Sequence, residues 1–279
     1  MALEPMAIGV IVGGGDPLAG IAKVKSLGLN NCQMGVPAPQ WRSGEKLEQV
    51  RRALAEQAVT VTCVFCGFPG ESYADIPTIR ATVGLVPPSK RAERLQIARE
   101  SSDAAQAIGA PVLAAHIGFV PDDRDHADYR GTLAAIQALC DHCAANGQKF
   151  ALETGQETAE TLLQFIQDVD RPNLGVNFDP ANMMLYGSGD PIAALDLVGK
   201  YVIGVHCKDG DYPAKPGTLG HEYPLGEGKV GFPRFLQKLR DIGYTGPLTI
   251  EREISGEQQT RDIRAAIQRL EEWKRHLTV

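Results

Sequence analysis

The 279-residue chain has no block of clustered Lys and Arg, and its net charge is −6. A nucleic-acid backbone asks for such a block, so nucleic acid is disfavoured as a partner. No apolar run reaches the roughly eighteen residues that a membrane span needs, so none is expected. The opening stretch MALEPMAIGVIVGGG lacks a basic n-region and carries Glu4. It reads as a first strand and not as a signal peptide, which makes a cytoplasmic location the expectation. No G-x-S-x-G or H-E-x-x-H motif occurs. The glycines of GVIVGGGD do not form a dinucleotide fingerprint. The segment GEGKVG at 226–231 lacks the first glycine of a phosphate loop, and Val230 stands where Ser or Thr would bind Mg2+. It reads as a flexible rim. No linker or low-complexity segment interrupts the chain.

The six cysteines include two C-x-x-C pairs, Cys63 with Cys66 and Cys140 with Cys143. The first pair lies in an apolar β-branched run, where residues three apart face opposite sides of a strand. The second lies in a helical pattern far along the chain. Reduced, packed thiols are expected in place of a shared zinc site.

Composition is that of a globular protein, 43% apolar and 22% charged. Short apolar runs alternate with helical patterns throughout. Strands are expected at 6–12, 31–36, 59–65, 112–115, 150–152, 174–178, 202–207 and 248–250. Helices are expected at 17–27, 44–58, 90–108, 128–146, 158–169, 191–198, 233–242 and 258–277. Eight alternating pairs point to an α/β fold, a (β/α)8 TIM barrel forming one domain over residues 1–279. Two loops, 67–89 and 210–231, are too long to be mere connectors. In such a barrel both lie on the C-terminal face, where active sites are built.

Four apolar runs end alike: KFALE at Glu153, GVNFD at Asp179, YVIGVHCKD at His206 and PLTIE at Glu251. These ends belong to strands five to eight and can converge above the core. Three carboxylates in one pocket are costly without a cation, so one divalent metal ion is the expected cofactor. The mostly hard-oxygen set points first to Mn2+, with Mg2+, Co2+ and Zn2+ as alternatives. His116 ends strand four in the same way, as a fifth ligand, a substrate hydrogen-bonder or a proton carrier. Asn182, three residues after Asp179, and Lys208, two after His206, can face the same pocket as substrate-binding residues. Asp209 and Asp211 read as loop formers.

At HIGF, ALE, NFDPANM, VHCKD, PLGEGKV and PLTIERE the chain resembles the xylose isomerase-like barrels. That superfamily includes hydroxypyruvate isomerase, ketose 3-epimerases, inosose dehydratase and endonuclease IV-type repair enzymes. The resemblance implies a metal site of Glu153, Asp179, His206 and Glu251. Members with a second metal place a histidine where Asn182 stands, and His221 is a lone candidate in the loop after strand seven. The repair enzymes use many histidines, and this chain has six.

The expected activity is metal-dependent isomerisation or epimerisation of an α-hydroxyketone, a ketose or keto-polyol. It runs through a metal-stabilised enediolate, with Glu153 and Glu251 as the two acid/bases. The alternative is a lyase or dehydratase that expels a leaving group from the same enolate. An endonuclease or a non-catalytic sugar-binding barrel ranks lower. A homo-oligomer is compatible with the sequence.

Overall fold

The computed structural model describes residues 3–277. Eight parallel strands close into a barrel in the order β1 (Ile8–Val12), β2 (Asn31–Gly35), β3 (Thr60–Cys66), β4 (Val112–Ala115), β5 (Lys149–Glu153), β6 (Leu174–Phe178), β7 (Val202–Cys207) and β10 (Leu248–Ile250). The last pairs with the first through Ile8 and Leu248, so the barrel has no open edge. Helices α1 (Pro17–Ser26), α2 (Gly44–Glu56), α4 (Pro88–Ala107), α5 (Ala127–Ala145), α6 (Ala159–Val169), α8 (Pro191–Val198), α9 (Phe232–Asp241) and α10 (Gly256–Arg275) follow the strands. Their starts show why they begin there. Asp16, Thr158 and Asp190 accept hydrogen bonds from the first free N–H groups of α1, α6 and α8.

Hydrophobic burial is divided unequally. The main core fills the space between barrel and helices. The barrel lumen holds only a small apolar cluster around Cys63, Ala114 and Ala151. Cys63 thus packs inside the barrel and Cys66 outside, where its thiol lies 3.4 Å from Ser101 Oγ. All six cysteines are free and buried, as packed thiols should be. No described helix is long and apolar enough to cross a membrane.

Beyond the expected elements lie two α-helices and a two-stranded ribbon. Within 67–89 the chain forms α3 (Ile76–Thr82), capped by Asp75, whose side chain accepts the Thr78 N–H at 2.8 Å. After β6 comes a seven-residue helix, α7 (Pro180–Tyr186). Within 210–231 a two-stranded ribbon forms from β8 (Asp209–Gly210) and β9 (Glu222–Tyr223).

The 67–89 segment is stitched down. Leu85 and Val86 both donate their N–H to Ile117 O, at 2.8 and 3.1 Å. The buried Arg94 donates to Gly84 O at 2.7 Å and stacks over Phe68. Gly84 sits at φ +74, and a Cβ there would meet Ile117 C at 1.9 Å. Gly84→Ala therefore combines left-handed backbone strain with a backbone clash. It should lower stability by roughly 2–4 kcal/mol, read from the urea midpoint at constant slope. An unchanged midpoint would mean that the segment does not dock beside Ile117.

Candidate metal centre

Parallel strands point all their C-terminal ends at one mouth of the barrel, and four of those ends carry metal-ligating groups. Glu153 closes β5, Asp179 follows β6, His206 is the penultimate residue of β7, and Glu251 follows β10. One ligand atom from each lies within 4.8 Å of all the others. His206 Nδ1 is 2.9 Å from Glu153 Oε1, 3.3 Å from Glu251 Oε2 and 3.7 Å from Asp179 Oδ2. Nδ1, Glu153 Oε1 and Asp179 Oδ2 are buried, and none of them has a hydrogen-bond partner. Buried polar atoms normally find partners. Three such orphans aimed at one another fit a cation that all three would bind.

Local structure aims each ligand. Asp179 is the N-cap of α7: its Oδ1 accepts the Asn182 N–H at 2.9 Å, which leaves Oδ2 turned toward the centre. Its backbone N–H donates to Thr154 Oγ1 at 2.7 Å. His206 Nε2 donates to Gln33 Oε1 at 2.9 Å, so Nδ1 faces the carboxylates.

Lys208 is buried and not solvated. Its ammonium donates to Asn182 Oδ1 at 3.0 Å and lies 2.9 Å from Glu253 Oε2, 3.3 Å from Glu251 Oε2 and 3.9 Å from Asp179 Oδ2. His116 lies outside the four-ligand group, with its Nδ1 buried and unpartnered. The Phe65 ring sits 5.7 Å from His116 and 5.8 Å from His206, and Tyr73 from the 67–89 segment covers His116 at 5.8 Å. His221 is exposed and belongs to no described ligand cluster; its N–H donates to Asp211.

The titration behaviour follows from burial and crowding. Desolvation pushes Asp179 up to about 7, with Lys208 opposing. Burial alone would lower His206, yet Glu153 and Glu251 override it and hold the imidazole well above its ordinary value. Lys208 is raised against its own desolvation by Glu251, Asp179 and Glu253. Desolvation opposes the charge on Glu251, but Lys208 and His206 take that carboxyl well below the usual range. Burial lowers His116, which stays neutral.

Above the centre lies a cavity of about 380 Å³, walled by Tyr73, His116, Asn182, Tyr186, Glu222 and Glu253 together with Leu185 and Leu219. No Lys or Arg is among the described residues lining it. A larger groove of about 530 Å³ beside Leu54, Thr60 and Ile108 carries no acid, histidine or thiol. The ribbon of the 210–231 loop is pinned by Asp209, as expected of a loop former. Asp209 accepts the N–H groups of Gly210, Gly226 and Val230 at 2.9, 2.8 and 3.1 Å.

Sequence reasoning brought Glu153, Asp179, His206, Glu251, Asn182 and Lys208 together, and the structure does the same. It missed Gln33, Asn177 and Glu253. Asn177 stands two residues before Asp179 and Glu253 two after Glu251, the same-face offset that flags Lys208. Gln33 carries only one signal, a polar residue inside the apolar run of β2.

The family described as xylose isomerase-like TIM barrel matches residues 21–273. The chain is a xylose isomerase-like TIM barrel. A xylose isomerase domain protein from Planctomyces limnophilus superposes with TM-score 0.93 at 43% identity, covering 98% of this chain and 99% of that one. A second such barrel, from Mycobacterium smegmatis and solved in complex with magnesium, shares the fold at TM-score 0.68 and 18% identity over 98% of both chains. The L-ribulose 3-epimerase of Methylomonas sp. is 26% identical over 170 residues, 56% of this chain and 54% of its own length. The matched stretches span 34% to 61% of the lengths of the curated relatives.

Asp179 and His206 both hold protons more tightly in the fold than in the unfolded chain. For Asp179 the window runs from its ordinary carboxylate value up to about 7; for His206 it starts at its ordinary imidazole value and runs upward. A raised pKa stabilises below the unfolded value, so both contributions are lost as pH rises through these windows. Glu251 has the opposite sign, in a window below the usual carboxylate value. A cation must displace the protons on Asp179 and His206. The gain in melting temperature on adding Mn2+ to chelator-treated protein should therefore be larger at about pH 8 than at about pH 5.5. A gain that shrinks as pH rises would contradict this account.

Proposed function

We propose that the chain is a metal-dependent isomerase or epimerase of an uncharged α-hydroxyketone, a ketose or keto-polyol. The observation that carries the reading is the convergence of Glu153, Asp179, His206 and Glu251 on one buried point beneath a cavity of about 380 Å³. The epimerase among its relatives supports the same class. A divalent cation, Mn2+ first by ligand type, held by these four residues would polarise the substrate carbonyl as a Lewis acid.

The remaining work falls to side chains. Glu251 keeps 13% side-chain exposure where Glu153, Asp179 and His206 keep none, so it reaches the cavity most directly. It removes the proton from the carbon beside the carbonyl, and the electron pair moves onto the carbonyl oxygen as an enediolate. Glu153, protonated from solvent beforehand, returns a proton from the other side, and Glu251 then releases the proton it took to solvent, which resets both groups. Glu153 Oε2 accepts from Asn177 at 2.5 Å. Return to the opposite face of the same carbon epimerises the substrate; return to the former carbonyl carbon, with the hydroxyl proton of the first carbon passing to the former carbonyl oxygen, isomerises it. Lys208 sits 3.3 Å from Glu251 Oε2 and offsets the negative charge developing on the enediolate oxygen beside it. Neutral His116 and Asn182 hold hydroxyls, and Tyr73 shields the reacting carbons from water.

The preference for an uncharged substrate rests on the cavity wall. Lys208 already serves Asp179, Glu251 and Glu253, while Glu222 and Glu253 line the pocket. A phosphate dianion would meet those carboxylates, and no Lys or Arg is among the described residues lining the cavity.

Glu153→Gln and Glu251→Gln should each abolish exchange of the substrate α-proton with solvent deuterium. The assay is mass spectrometry over free ketoses, inososes and keto glycosides with Mn2+ present. Full exchange in either variant would end the two-base scheme. Loss of mass by elimination, in place of a mass-conserving product, would move the chain to the lyase class. A ketose should also bind at least tenfold more tightly than its phosphate ester, by calorimetry, a difference of about 1.4 kcal/mol.

A further inference from the structure

Beneath the metal centre, two buried amides join ligands on opposite sides of the barrel. Asn177 Nδ2 donates to Glu153 Oε2 at 2.5 Å, Gln33 Nε2 donates to Asn177 Oδ1 at 2.9 Å, and His206 Nε2 lies 2.9 Å from Gln33 Oε1. Gln33 and Asn177 are each 1% exposed, and the ligands they touch are buried as well. The direction of every bond in this chain follows from its first member. An ionised carboxylate can only accept, so Asn177 must turn its NH2 group to Glu153 and its oxygen to Gln33. Gln33 must then turn its NH2 group to Asn177 and its oxygen to His206. That oxygen can only accept, so the proton of a neutral His206 sits on Nε2 and the lone pair on Nδ1, which faces the other three ligands.

Strand register builds the relay. Glu153 is paired with Asn177 across β5 and β6, and Asn177 with Gly204 across β6 and β7, next to a register shift. Gly204 leaves the space the relay needs: a Cβ there would lie 2.2 Å from Asn177 Oδ1. Below the amides, toward the N-terminal mouth, is a cavity of about 380 Å³ lined in part by Gln33, Asn177, Gly204 and Cys63. The amides thus border open space on that side, and the hydrogen bonds just named hold them.

We propose that Gln33 and Asn177 are positioning residues that select the Nδ1-ligating tautomer of His206 and orient Glu153 for the cation. The proposal rests on the metal-centre reading and deepens it. Partners of this kind typically contribute roughly 10-fold to 100-fold in metal affinity.

The test titrates chelator-treated full-length protein with Mn2+, following the free-ion electron paramagnetic resonance signal, and records melting temperature in chelator alongside. Gln33→Met keeps volume and removes both polar contacts. Asn177→Ala only deletes atoms beside an existing cavity and serves if the first variant does not fold. Gly204→Ala leaves every polar group in place and pushes the Asn177 amide aside. Each folded variant should bind Mn2+ at least tenfold more weakly than wild type, with a melting temperature in chelator within a few degrees of it. Variants that lose melting temperature yet bind Mn2+ as tightly as wild type would show packing alone and overturn the relay. A wild type that binds no Mn2+ would remove the metal-centre reading and the relay with it.

Discussion

The structure is organised around a charge imbalance that it cannot relieve by itself. Glu153, Asp179 and Glu251 turn their carboxylates toward one buried point, and His206 faces them. Lys208 supplies one positive charge, already divided among Asp179, Glu251 and Glu253. With His206 neutral, two negative charges remain in a pocket from which water is largely excluded. A divalent cation balances them; otherwise protons must stay on groups that would release them in water, as the raised Asp179 and His206 show. Bringing these ligands together needs four separate strands in fixed register, which a closed barrel provides. Three of the four ligands are then tied back to the frame: Asp179 by the helix it caps, His206 by Gln33, Glu153 by Asn177.

Much of this was legible in the sequence because two regularities coincide. Alternating apolar runs and helical patterns imply a barrel, and a parallel barrel brings every strand end to one mouth. Glu153, Asp179, His206 and Glu251 could therefore be grouped from their place at strand ends alone. Lys208 followed from the two-residue period of a strand. The same period would have exposed Asn177 and Glu253 had it been applied to each ligand in turn. Gln33 was not legible, because nothing in linear spacing links β2 to β7 across the lumen. Helix α7 is hidden for another reason: Asp179 is at once ligand and N-cap, and seven residues are too few to show a helical apolar period. Helix α3 carried its own signature, Asp75 followed by Pro77, inside a stretch read as loop.

The barrel places a site but does not choose a reaction. The choice lies in what surrounds the four ligands. Lys208, Asn182 and His116 suit hydroxyls and a developing oxyanion. Leu185, Leu219, Tyr73 and Tyr186 suit the C–H surface of a polyol and keep water from its reacting carbons. The carboxylates of Glu222 and Glu253 at the rim oppose an anionic substrate.

The loop that forms part of this wall is fastened in an economical way. Asp209 gathers three backbone N–H groups from both ends of the excursion, one residue beyond Lys208 and three beyond His206. The intervening stretch is held further by the β8–β9 pairing, by the Gly220 N–H on Leu185 O and by Arg252 on Glu222. Its length and chemistry can drift, by insertion or exchange, without altering the strand that aims the imidazole. A barrel built this way acquires a new preference by splicing surface chain, while its catalytic floor is inherited intact.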